Sequence, residues 1–160
     1  MVWKELTLAG IIALTPSSGY LRADDTTIAS NSGISDKLQA QVTRLADLGT
    51  TLAYRGKFQE SLEAYQRADK IKPNCDDIIA GMATAYSKMD EPEKADALFR
   101  RSLKLDPDDF ETNINYAGHL CRERKFSEAI PFIKTALETS PKNKVALGWL
   151  KYAKTYSMKQ

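Results

Sequence analysis

Few residues in this chain have the types and spacing that covalent or metal chemistry requires. The single histidine, His119, lies in a helical stretch, and no Ser-His-Asp or Cys-His set can be assembled around it from spacing. Its ordinary reading is a helix residue near a packing surface. Neither Cys75 nor Cys121 belongs to a Cys-x-x-Cys pair, and neither has a histidine at zinc-ligand spacing. Gly56-Lys57 lacks the upstream glycine and the Ser/Thr of a phosphate loop. Asp106-Pro107-Asp108-Asp109 has the acid density of a calcium loop. It lacks the central glycine, and Ala117 stands where the closing glutamate belongs. A turn with helix-capping acids accounts for it better. The expectation is a protein that is no enzyme, with neither cofactor nor metal.

Composition narrows the remaining classes. Twenty-three Lys/Arg against 21 Asp/Glu leave a formal charge of +2, and 42% of the 160 residues are hydrophobic. That balance excludes a binder of nucleic acid held by charge alone and a solvated acidic tail, and it suffices for a folded core. Eight glycines and six prolines are few enough to expect long, regular elements. The charge is uneven along the chain: −1 over residues 1–34, −2 over 35–141 and +5 over 142–160. The terminal lysines (Lys142, Lys144, Lys151, Lys154 and Lys159) read as a solvated end or a contact for an acidic partner, and nucleic acid is not expected.

The elements that must carry any site emerge from a 34-residue period. Pro73, Pro107 and Pro141 share one register. So do Leu48, Met82 and Tyr116, each followed by a small residue (Gly49, Ala83, Ala117). Leu52, Tyr86 and Leu120 form a further row, as do Ser61, Ala95 and Ala129; Tyr65, Phe99 and Ile133; and Ala68, Ser102 and Ala136. Within a unit the apolar steps are helical: Leu38, Val42, Leu45, Leu48, Leu52, then Phe58, Leu62, Tyr65, Ala68, Ile71. Short breaks at 55–57, 89–91 and 122–125 divide each unit into a helix, a tight turn and an antiparallel helix. Small residues let two backbones approach, and large ones fill the space beside them. Pro92 fits a first helical turn, and Pro131 is expected near the end of one. Asp76 and Asp108 or Asp109 are candidate N-caps. Asn113, where Leu45 and Ile79 stand in the other units, and Pro92, in place of Phe58 and Phe126, break the pattern locally.

The period, the Leu-Gly and Met-Ala pairs and the closing prolines resemble the tetratricopeptide repeat (TPR) family. The resemblance implies an all-α, right-handed superhelical solenoid of antiparallel helix pairs. Three repeats are expected at about 42–75, 76–109 and 110–143, within a domain spanning 35–160. Residues 144–159 read as a capping helix, because Lys151 and Lys154 replace the small and apolar residues a further hairpin would need. Ahead of the domain, a polar linker is expected at 24–34. Residues 1–23 form a segment whose apolar run, Leu6 to Leu14, is too short to span a bilayer as a helix. That segment has two readings. As a cleaved export signal it would make the protein exported or periplasmic. Retained in a cytoplasmic protein, it could pair two copies as a homodimer or occupy the groove.

The resemblance further implies that the first helix of each pair lines a concave groove. Carried over position by position, the groove receives Thr43, Ala46, Asp47, Thr50 and Tyr54; Asp77, Ala80, Gly81, Thr84 and Lys88; and Glu111, Ile114, Asn115, Gly118 and Arg122. Trp149, Tyr152 and Tyr156 extend it on the capping helix, either facing a ligand or packing the cap itself. Family members that clamp the C-terminal carboxylate of heat-shock proteins do so with Lys, Asn and Arg. The matching positions here (Ala46, Thr50, Gly81, Glu111, Asn115) hold no base, so that clamp is absent. The expected function is a non-catalytic adaptor or scaffold that binds a peptide or helix of a protein partner in the groove. The alternative is a bacterial secretion-type chaperone or envelope assembly factor of the same build.

Overall fold

The computed structural model describes residues 23–159, with side chains from residue 33. Every regular element in this range is helical: α1 (Ala23–Tyr54), α2 (Phe58–Ile71), α3 (Asp76–Lys88), α4 (Pro92–Leu105), α5 (Phe110–Arg122), α6 (Phe126–Thr139) and α7 (Lys144–Ser157). The apolar segment assigned to residues 1–23 lies, but for Ala23, outside this range, and the homodimer reading attached to it lies there as well. Residues 24–34, expected as a polar linker, are part of α1. No proline interrupts them.

The three turns inside the pairs share one physical device. Gly56, Asp90 and Arg124 occupy the same register and all take positive φ, at 75°, 62° and 60°. The next residue's N–H then reaches back to the last turn: Lys57 to the Leu52 carbonyl (2.9 Å), Glu91 to Tyr86 (3.0 Å) and Lys125 to Leu120 (2.8 Å). A left-handed residue there satisfies helix-end carbonyls and reverses the chain within three residues. Each first helix therefore packs against the helix that follows it: α1 on α2, α3 on α4, α5 on α6.

Stacking of the pairs is cemented by the small-residue rows. Ala68, Ala83, Ala95, Ala117, Ala129 and Ala136 are fully buried, and so are Ser61 and Ser102. The two serines hydrogen-bond across helices, Ser61 Oγ donating to the Gly49 carbonyl (2.7 Å) and Ser102 Oγ to that of Asp76 (3.0 Å). Asn113 is no defect. Its buried side-chain amide donates to the Pro107 and Asp109 carbonyls (2.8 and 2.9 Å), tying the loop before α5 to the helix.

Three local expectations change. Asp109 caps α5, accepting from the Thr112 N–H (2.6 Å), whereas Asp76 is already helical and Cys75 takes the cap position of α3 without a side-chain bond. Asn143, which the sequence reading passed over, caps α7 through the Val145 and Ala146 N–H groups, both at 3.0 Å. Pro131, expected near the end of a first turn, is the sixth residue of α6 and lies on an exposed face.

The ends of the array differ from its middle. Met82 and Tyr116 are buried, yet Leu48 in the same register is 45% exposed, because among the described residues no helix precedes α1 to cover it. At the other end Val145 and Leu147 of α7, and Met158 just after it, face solvent.

Candidate functional site

Helices α1, α3 and α5 touch side by side, and α7 continues the row against α5. Their 34-residue register sorts the exposed face into four rows. Thr43, Asp77, Glu111 and Val145 form one rim. Asp47, Gly81, Asn115 and Trp149 come next, then Thr50, Thr84, Gly118 and Tyr152. Tyr54, Lys88, Arg122 and Tyr156 form the opposite rim.

A cavity of about 430 Å³ and another of about 730 Å³ occupy this face. The larger brings together eleven of the sequence-derived groove residues: Ala46, Asp47, Thr50, Tyr54, Asp77, Ala80, Gly81, Thr84, Lys88, Glu111 and Asn115. The smaller is lined by Arg122, Trp149 and Tyr152, with Cys121, Lys144, Val145 and Gly148. Tyr156 lines neither and instead packs in tilted contacts on Phe126 and Tyr152, with ring centroids at 5.4 and 4.6 Å. Trp149 lies over Gly118: a Cβ there would meet the indole in ordinary van der Waals contact, at 3.5 Å. Tyr152 serves both roles, lining the smaller cavity and meeting Phe126 edge-on at 5.8 Å. Of the wider carry-over, Ile114 leaves the groove. It is 7% exposed and belongs to the core, since it turns between helices instead of toward the concave face.

The floor depends on a residue that sequence reasoning assigned only to packing. Tyr65 of α2 passes between α1 and α3 with its ring against Gly49 and Gly81. Its hydroxyl emerges in the larger cavity and hydrogen-bonds Thr50 Oγ1 (2.8 Å). Burial pushes its phenol pKa up, and the Thr50 hydrogen bond partly offsets this. The available signal was a hydroxyl at a slot where the other units carry Phe99 and Ile133. Phe58, Asp109 and Thr112 also line this cavity and were not anticipated there.

Electrostatically the larger cavity is acidic. Asp47, Asp77, Asp109 and Glu111 face Lys88 alone, a formal charge of −3. Burial, followed by the charges of Asp76, Asp109 and Asp106, raises the Asp77 pKa above the ordinary carboxylate value. The ion pairs of the described residues, Lys57–Glu60, Lys94–Glu91 and Arg100–Asp96, all lie elsewhere.

The structure does place a hydroxyl beside the one imidazole. Ser87 Oγ and His119 Nδ1 are 2.7 Å apart, and Arg122 donates to both Ser87 Oγ and the Ser87 carbonyl. The geometry is that of a structural tie. His119 is 2% exposed beneath Phe99 and Tyr116. A guanidinium donating to the serine oxygen withdraws the electron density a nucleophile would need. Among the described residues no group of His, Cys, Asp and Glu could hold a metal ion, and no helix is long and apolar enough to cross a membrane.

Helix pairs stacked side by side around an unfilled concave groove define a helical-repeat solenoid with a ligand-sized inner face. Residues 52–119 match the tetratricopeptide repeat family model. The fold agrees with the first TPR domain of human RPAP3 (TM-score 0.69, 18% identity, 74% of this chain and 94% of that one). It agrees equally with Pseudomonas aeruginosa PilF (TM-score 0.71, 22% identity, 77% of this chain and 56% of that one). The matched residues are tetratricopeptide repeats, and the helical array around them has the fold of such domains. Among curated proteins it is similar to the Arabidopsis thaliana CTR9 homolog, 40% identical over 58 residues. It is also similar to the P. aeruginosa type IV pilus assembly protein PilF, 28% identical over 82 residues. Those matches cover 36% and 51% of this chain, and only 5% and 32% of the two relatives.

Proposed function

We propose that this protein is a non-catalytic adaptor that holds a peptide or short helix of a partner protein in the concave groove. The observation that carries the reading is the larger cavity. It is walled by three first helices, floored by small residues and the Tyr65 hydroxyl, and edged by Tyr54, which is 89% exposed and packs no core. Small residues leave room for a second backbone, and an exposed aromatic supplies an anchor. Structures of the same fold include the first TPR of Spaghetti (RPAP3) bound to the HSP90 peptide SRMEEVD (TM-score 0.66, 18% identity). This chain holds no base at the clamp positions, so its ligand is of another kind. The likeness to PilF supports a second reading, in which the held partner is a component of an assembling envelope structure. A capping role for Trp149 and Tyr152 and a ligand-facing one are compatible, since both rings touch the protein on one side and a cavity on the other.

A photo-crosslinking residue placed at Thr84, in the groove, and at Lys134, on exposed α6, tests the reading in the native cells. Discrete partner adducts are expected from Thr84. Adducts from Lys134 alone would move the binding face to the convex side.

A further inference from the structure

The chemistry of the groove also selects among partners. Asp47, Asp77 and Glu111 line the larger cavity and make no ion pair with any described residue. Asp77 and Glu111 stand in the first turns of α3 and α5. Each helix N-terminus contributes roughly half a positive charge. Two such ends offset about one of the three net negative charges, and Asp47, in the middle of α1, gains nothing from them. A negative potential therefore remains in a concave site, where low-dielectric walls concentrate it. Tyr54 adds an exposed π face beside the carboxylates, and such a face attracts ammonium and guanidinium groups as the carboxylates do. The crowding of carboxylates around Asp77 agrees with its raised pKa.

We infer that the groove takes a cationic, extended segment of a partner protein, with its Lys or Arg side chains seated among Asp47, Asp77, Glu111 and Tyr54. The inference rests on the concave face being the binding face, and it reverses the charge of an acidic-tail clamp. The short side chains of Ala46, Ala80 and Thr84 leave space for a peptide backbone, which a small polycation would leave empty.

The test is selection of a random twelve-residue phage-displayed library on the full chain, followed by anisotropy titration of the recovered peptides. Two variants accompany it: Asp47→Asn/Asp77→Asn/Glu111→Gln, and Asn115→Trp, which plugs the cavity from an exposed helix position. Recovered peptides should be rich in Lys and Arg. Their affinity should fall about tenfold or more in the charge variant and at 0.5 M salt, as for several partly exposed charge pairs lost together. Acidic or uncharged peptides that lose binding in Asn115→Trp would overturn the charge selection while keeping the groove. Peptides indifferent to Asn115→Trp, or no enrichment at all, would remove both. A synthetic 142–160 peptide binding more tightly than any selected one would replace the foreign partner by a second copy of this chain.

Discussion

Replacing Gly81 with alanine puts the packing beneath the groove to a quantitative test. In an unconstrained helix interior this change stabilises by about 1 kcal/mol. Here the new Cβ would stand 2.4 Å from Tyr65 Cζ and 2.6 and 2.7 Å from its two Cε atoms. Carbon pairs need about 3.5 Å, so the ring must move by roughly 1 Å. Toward α1 it has less room than one methyl group, because a Cβ built at Gly49 would stand 2.9 Å from the same ring. Overpacking of this kind costs about 1–3 kcal/mol. Opening the 2.8 Å bond between Tyr65 and Thr50 adds about 1 kcal/mol. Setting the helix gain against these terms leaves a net loss of about 1–3 kcal/mol. Gly148→Ala is the control, because a Cβ there meets no atom within 4 Å. It should stabilise by about 1 kcal/mol. Urea unfolding followed by circular dichroism measures both variants. In a Tyr65→Leu background the penalty at Gly81 should largely vanish. Equal stabilisation by Gly81→Ala and Gly148→Ala would refute the wedge.

Further outcomes follow from the same interior. Burial pulls the His119 pKa below the ordinary imidazole value; Arg122 and Lys125 act with it, Glu123 and Asp96 against it. The unfolded chain therefore binds more protons below about pH 6.5, so this contribution to stability is complete above that pH and is lost as pH falls through the folded value. Denaturation midpoints between pH 8 and 5 should show the decline, and His119→Gln should flatten it; matching slopes would discount the imidazole. Burial pushes the Cys121 thiol up to about 11. A thiol reagent at pH 8 should label half-exposed Cys75 quickly and Cys121 only on unfolding, as read by mass spectrometry. Asn113→Leu, which restores the apolar residue of the other repeats, should destabilise by about 1–3 kcal/mol in the same urea assay, because the Pro107 carbonyl loses its donor and the Asp109 carbonyl keeps only the backbone N–H of residue 113.

The fold was legible because a repeat writes the same packing rule more than once. Slots such as Ala68, Ser102 and Ala136 are small because two helices must meet there, and the period exposes that need without coordinates. Much of the groove was legible for the same reason, since any residue on the concave face keeps its register. What escaped was set by individual side chains. Tyr65 reads as core until its length carries the hydroxyl through the gap between two glycines. Ile114 reads as groove until its neighbours turn it inward.

The sequence by itself determined the all-helical repeat and its resemblance to tetratricopeptide repeats, because these depend on periodicity and residue type along the chain. Only the tertiary structure decided that Leu48 stays exposed where Met82 and Tyr116 are buried, and that Ser87 and Arg122 hold the lone imidazole. It also decided that four carboxylates, from α1, α3, α5 and the cap residue ahead of α5, share one cavity with a single lysine. Those facts depend on which neighbour a helix has and on fields summed across helices, and neither quantity is local in sequence.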